Sequence, residues 1–292
     1  MRCVAVSAER SSLAVRCGGF LLNLAQPQLM GIVNVTPDSF SDGGQYVSAS
    51  AAIDHGLALA AAGADILDVG GESTRPGAPP VSLGEELQRV IPVVEALARE
   101  SGLPISIDTR HVPVMRAAVA AGATLINDIQ ALQAPGAVEF CRDSQVGICL
   151  MHMQGQPATM QQAPHYPRGV VEEVRDFLVG RAQQLERAGI ERERLILDPG
   201  FGFGKTRAHN LALLRGLGAL VETGYPLLVG LSRKSMTVPS GSGVPPHERL
   251  GASLAGACWA VHAGAHFVRT HDVTATRQAL AFWRDVTTME DA

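Results

Sequence analysis

The chain has 292 residues, 46% of them apolar and 18% charged, which is enough to bury a large core. Its formal net charge of -4 offers no basic field to hold a nucleic-acid backbone or an anionic membrane, leaving small molecules as the expected partners. Apolar runs break off well before the roughly 20 residues a spanning helix needs, and the first residues lack the order of a secretion signal, so a cytoplasmic protein is expected.

In chain order, residues 1–27 form an extension without distinctive pattern, expected to make a hairpin or plug over one end of the main domain. From 28 to 292 a single domain is expected. Short β-branched runs at 29–33, 65–69, 104–107, 124–126, 147–151, 195–197, 227–230 and 266–269 alternate with longer Ala-rich stretches. In those stretches apolar residues recur at helical spacing, as in Leu87, Val90, Ile91, Val94 and Leu97. Gly63-Ala64, Gly122-Ala123 and Gly264-Ala265 each close such a stretch just before a strand, where glycine suits the residue that stops a helix. Eight βα units predict an α/β fold of the (β/α)8 TIM barrel type. An open doubly wound sheet would carry a glycine-rich fingerprint after its first strand, and none is present. Five cysteines without a CxxC pair read as reduced thiols.

In such a barrel, chemistry gathers where strands end. The strand ends here carry Asn34, then 70–77, Asp108, Asn127, His152, Asp198, Ser232 to Lys234, and Arg269 with His271. A single Asp or Asn at such a place often caps the next helix, but so many polar strand ends together favour one polar pocket. Asp108, Asp198 and the Asn127 amide suit a flat heterocycle with an amino-amidine edge, and Lys234 adds a donor. The competing reading is a structural ion pair. Arg269 and His271, two apart on a strand, face the same side and can both donate to an anion. A helix expected to begin near Ser232 would add backbone N–H groups for a carboxylate or phosphate.

The segments 30–44, 68–77, 198–205 and Ser232-Arg233-Lys234-Ser235 are specific enough to carry a resemblance. In them the chain resembles the dihydropteroate synthases of bacterial folate synthesis. The resemblance implies condensation of 6-hydroxymethyl-7,8-dihydropterin diphosphate with p-aminobenzoate, Mg²⁺ as cofactor, and a homodimer. It implies a pterin site of Asp108, Asn127, Met151, Asp198, Phe203 and Lys234, and a diphosphate site of Arg269, His271 and Asn34, with Asn34 also at the metal. Asp198, Lys234, Arg269 and His271 are the expected catalytic groups. Phe40, Thr74, Arg75 and Pro76 on two mobile loops, with Ser232, are expected around p-aminobenzoate. Residues 237–246 depart from the family, reading as a Pro- and Gly-rich loop in place of a small apolar helix. Two other readings share the pterin pocket: a pterin-dependent methyltransferase, which would lack the arylamine loops, and a non-catalytic pterin-binding paralogue, which would have lost some of Lys234, Arg269 and His271.

Overall fold

The computed structural model describes residues 13–35, 45–72, 81–156 and 159–288. An antiparallel hairpin of β1 (Ala14–Cys17) and β2 (Phe20–Asn23) comes first. Among the described residues eight further strands succeed it: β3 (Gln28–Asn34), β4 (Ile66–Gly70), β5 (Ile105–Asp108), β6 (Leu125–Asp128), β7 (Gly147–Met151), β8 (Leu195–Asp198), β9 (Leu228–Val229) and β10 (Phe267–Thr270). They form one parallel sheet in the order β8-β7-β6-β5-β4-β3-β10-β9, and a parallel bridge from Leu197 to Leu227 joins its ends. The barrel read from the alternation is therefore present, with every predicted run a strand.

Helices alternate with the strands: α1 (Gln45–Ala61), α2 (Leu83–Glu100), α3 (Val112–Ala120), α4 (Ala137–Asp143), α5 (Val170–Arg187), α6 (Arg207–Arg215), α7 (Gly218–Val221), α8 (Leu250–His262) and α9 (Val273–Thr288). None of the described helices is long and apolar enough to cross a membrane.

Strand side chains alternate between two apolar clusters, as a period of two requires. Leu29, Leu67, Ile105, Ile126, Ile148, Leu197 and Val268 face outward and pack with helix residues such as Val90, Val94, Leu97 and Leu178. Met30, Ile66, Leu125, Cys149, Ile196, Leu228 and Phe267 face inward at the start of their strands, where Val15, Cys17, Leu22 and Leu24 of the hairpin segment cover them. Each fully buried side chain of this size contributes about 1.5–3 kcal/mol. The hairpin sits so close that a Cβ at Gly147 would lie 2.5 Å from the Cys17 sulfur. One end of the barrel is thus closed by apolar packing from the hairpin segment.

One expected element is absent. No α-helix begins near Ser232: a short 3₁₀ turn, Ser235–Thr237, is followed by loop and a second turn, Pro246–Glu248, before α8 starts at Leu250. Arg233 sits at a left-handed φ of 60°, and Pro239, Pro245 and Pro246 cannot continue a helix through the segment. A helix dipole at Ser232 is not available to hold an anion.

Candidate active site

Above the apolar floor the inward-facing residues turn polar within one layer. Register sets Asp68 beside Ser106, Gly70 beside Asp108, and Asp108 beside Asn127, while Met151 pairs with Asp198. Arg269 enters from β10 and joins three strands. Its Nε donates to Asp68 Oδ2 at 2.6 Å and its Nη2 to Asp108 Oδ2 at 2.8 Å. Asn127 Nδ2 donates to the same Asp68 oxygen at 3.2 Å. Asp68 is fully buried, and its Oδ1 has no hydrogen-bond partner among the described residues.

Burial pushes the Asp108 carboxyl up to about 7; Arg269 works against the rise, while the charges of Asp68, Asp128 and Glu86 add to it. Asp198 is also raised by burial, opposed first by Lys234 and then by the Gly200 N–H. That N–H reaches Asp198 Oδ1 at 2.7 Å. Burial draws the Lys234 ammonium down to about 8, with Asp198 as the largest opposing influence. Lys234 Nζ donates to the Phe201 carbonyl at 2.5 Å and lies 4.8 Å from the centre of the Phe203 ring, close enough for a cation–π contact.

The loop after β8 that carries Phe203 is tied from below by Lys205. Its ammonium reaches the carbonyls of Gly200 at 2.9 Å, Phe203 at 3.0 Å and His152 at 3.3 Å, and His152 Nδ1 at 3.0 Å. Burial first, and Lys205 second, hold the His152 imidazole down to about 3, so the ring is neutral and its Nδ1 accepts from the ammonium. Gly200 has a φ of 67°, and a Cβ there would stand 1.9 Å from the His152 carbonyl oxygen; only glycine fits.

On the far side, Ser232 Oγ lies 2.9 Å from His271 Nδ1 and accepts the His271 backbone N–H at 3.2 Å. Arg233 pairs with Asp272, its Nε at 3.0 Å from Oδ2. Asn34 ends β3 opposite Gly70; its side-chain amide makes no hydrogen bond among the described residues. Glu72, just before the segment 73–80, is held by Arg110 at 3.1 Å, and Arg89 holds the Gly71 carbonyl at 2.8 Å.

Asp108, Asn127 and Arg269 thus meet through direct hydrogen bonds and Asp68. Lys234 and Phe203 touch, and each of Asp198 and Lys234 feels the other's charge. Met151 ends β7 and lies against Gly200, where an added Cβ would meet its side chain at 3.1 Å. Ser232 and His271 pair with each other. Asn34 shares the rim without a described contact to Arg269, whose register partner on β3 is Met30. Phe40, Thr74, Arg75 and Pro76 lie outside the described residues.

Asp68 and Lys205 were not singled out from sequence. Asp68 stands in an otherwise apolar strand; its signals were its place at the head of the segment 68–77 and the period of two that aligns it with Gly70 and Ile66. His152, one of the polar strand ends, is buried against Lys205.

The described residues hold no group of three or more His, Cys, Asp or Glu side chains arranged for a metal ion. Mg²⁺ needs no such cage, since it commonly keeps several waters and binds through substrate phosphates with one or two protein oxygens. The amide oxygen of Asn34 fits that sparse requirement.

A family model described as pterin binding enzyme matches residues 30–271. The chain is 51% identical over 262 residues to the dihydropteroate synthase of Escherichia coli strain K12, spanning 90% of this chain and 92% of that one. Xanthomonas albilineans dihydropteroate synthase solved with 4-aminobenzoic acid matches with a TM-score of 0.89 and 51% identity, covering 95% of this chain and 99% of that one. A structure of that species' synthase in complex with 7,8-dihydropteroate matches with a TM-score of 0.86 and 48% identity, covering 95% and 100%.

Proposed function

The chain belongs to the dihydropteroate synthase family of pterin-binding enzymes, and from that premise we propose a dissociative condensation of 6-hydroxymethyl-7,8-dihydropterin diphosphate with p-aminobenzoate. The products are 7,8-dihydropteroate and diphosphate. The observation that carries this reading is the meeting of Asp108, Asn127, Asp198, Lys234 and Arg269 at the one polar end of a plugged barrel.

Asp108, Asn127 and Asp198 accept from the N–H edge of the pterin, and Lys234 donates to its ring oxygen or nitrogen. Met151 and Phe203 cover the ring faces. Arg269 and His271 take the diphosphate, with Asn34 beside it. Arg269 is paired with Asp108 before substrate arrives, so the pterin edge displaces one of its two bonds and leaves that donor for the anion. Mg²⁺, when bound to the diphosphate and Asn34, supplies charge neutralisation for the leaving oxygen.

The bond from the pterin methylene to oxygen breaks with its electron pair going to diphosphate, where Arg269 and His271 stabilise the charge. The electron-rich dihydropterin delocalises the resulting cation, and the Asp198 carboxylate lies on the side of Lys234 and the Gly200 loop to favour it. The arylamine nitrogen then attacks and loses its extra proton to solvent. No protein nucleophile is needed.

Purified protein mixed with the pterin diphosphate, p-aminobenzoate and Mg²⁺ is expected to form dihydropteroate, read by mass; a protein that binds pterin and forms none is a binder only. For the route, pterin diphosphate labelled with ¹⁸O at the bridging oxygen is incubated without p-aminobenzoate. Scrambling of the label in recovered substrate is expected. A label that stays unscrambled, in a buffer where added p-aminobenzoate is turned over, would count against reversible bond breaking with a freely rotating diphosphate ahead of attack.

A further inference from the structure

Asp68 is completely buried, so it reaches ligand only through its neighbours. An ionised carboxylate has acceptors and no donor. Its Oδ2 takes both the Asn127 amide N–H at 3.2 Å and the Arg269 Nε–H at 2.6 Å. That arrangement leaves the Asn127 amide one orientation: nitrogen toward Asp68 and oxygen away from it, where no described residue donates to it. An amide's orientation is decided by its hydrogen-bonding network, and here the network contains a partner that cannot donate.

A role in stability alone explains Asp68 poorly. Buried ion pairs are weak contributors to folding because desolvation offsets their attraction, and the unpartnered Oδ1 adds a further cost. We propose that Asp68 is a positioning residue, which turns the Asn127 oxygen toward the ring N–H of the pterin and holds Arg269 beside it. The inference rests on the pterin reading above and deepens it. Asp68 makes the middle of the recognition edge an obligate acceptor, flanked by Asp108 and Asp198. Ligands with a ring N–H at that position are accepted. Those with a bare ring nitrogen there are rejected, since two acceptors would be left facing each other.

The test uses calorimetry with 6-hydroxymethylpterin, which carries no diphosphate, on the full chain. Asp68→Leu, similar in shape but without the acceptor, is expected to lose about tenfold to hundredfold in pterin affinity. Asp68→Asn retains an oxygen that can accept from both Asn127 and Arg269, and is expected to stay within about threefold of the parent. A residue with only a structural role would instead lower affinity in step with the thermal midpoint in both variants. A folded Asp68→Leu binding like the parent overturns the proposal. So does a folded Asp68→Asn that loses more than about tenfold, which decides the matter even where the leucine variant fails to fold. A parent protein that binds no pterin at all sinks the functional reading instead.

Discussion

Asp108 shows how one side chain answers to two demands. Its carboxyl is raised from 3.8 to about 7, chiefly by burial, so the folded protein holds that proton more tightly than the unfolded chain does. Its contribution to stability is therefore full below about pH 4 and is lost as pH rises through about 7. In the proposed function pterin binding runs the other way, because the deprotonated carboxylate is the better acceptor for the ring edge. Affinity for a diphosphate-free pterin should rise as pH passes from about 6 to about 8, while the thermal midpoint of the unliganded protein falls over the same interval. In Asp108→Asn the pH dependence of affinity should flatten, with a loss of about 2 kcal/mol, or roughly thirtyfold, at the alkaline end. Titration calorimetry at several pH values measures both, and an unchanged profile in the variant would remove Asp108 from the recognition edge.

At the scale of elements, the loop joining β8 to α6 is fastened by one side chain. Lys205 places its three N–H donors within reach of three carbonyls and an imidazole nitrogen, and Lys205→Met would leave those acceptors without their donor. The expected loss is about 3 kcal/mol, with faster amide hydrogen exchange concentrated between 200 and 205 and a KM raised more for the pterin diphosphate than for p-aminobenzoate. Uniformly faster exchange over the whole barrel would contradict a local fastening. The regular elements themselves were legible in the sequence because each is specified locally. β-branched runs gave the eight strands, and Gly63, Gly122 and Gly264 end their helices at positive φ as their positions before strands implied. Asp108, Asn127, Asp198 and Arg269 were legible as strand-end polar groups. Their partners were not: the bond from Arg269 to Asp68 joins residues 201 apart in the chain and depends on sheet order and register. The helix expected at Ser232 is absent, because the prolines downstream of it cannot continue one.

For the molecule as a whole, the two ends of the barrel have divided duties. Val15, Cys17, Leu22 and Leu24 seal one end with apolar side chains, at the opposite end of the strands from Asp108, Asp198 and Arg269. Leu24→Ala should cost about 2–5 kcal/mol, seen as a lower urea midpoint, with kcat/KM at room temperature retained; a proportional fall in kcat/KM would mean that the hairpin shapes the site. The ring of strands, however, is not equally strong all the way round. β3 and β4 share five register pairs, whereas β9 is two residues long and β8 is joined to that side only by the isolated bridge of Leu197 with Leu227, the residue before β9. That weakest seam lies directly beneath Asp198 on one bank and Ser232 to Lys234 on the other. Thermal breathing of the barrel should begin there, widening the gap between the Asp198 carboxylate and the Lys234 ammonium before any other pair of strands parts.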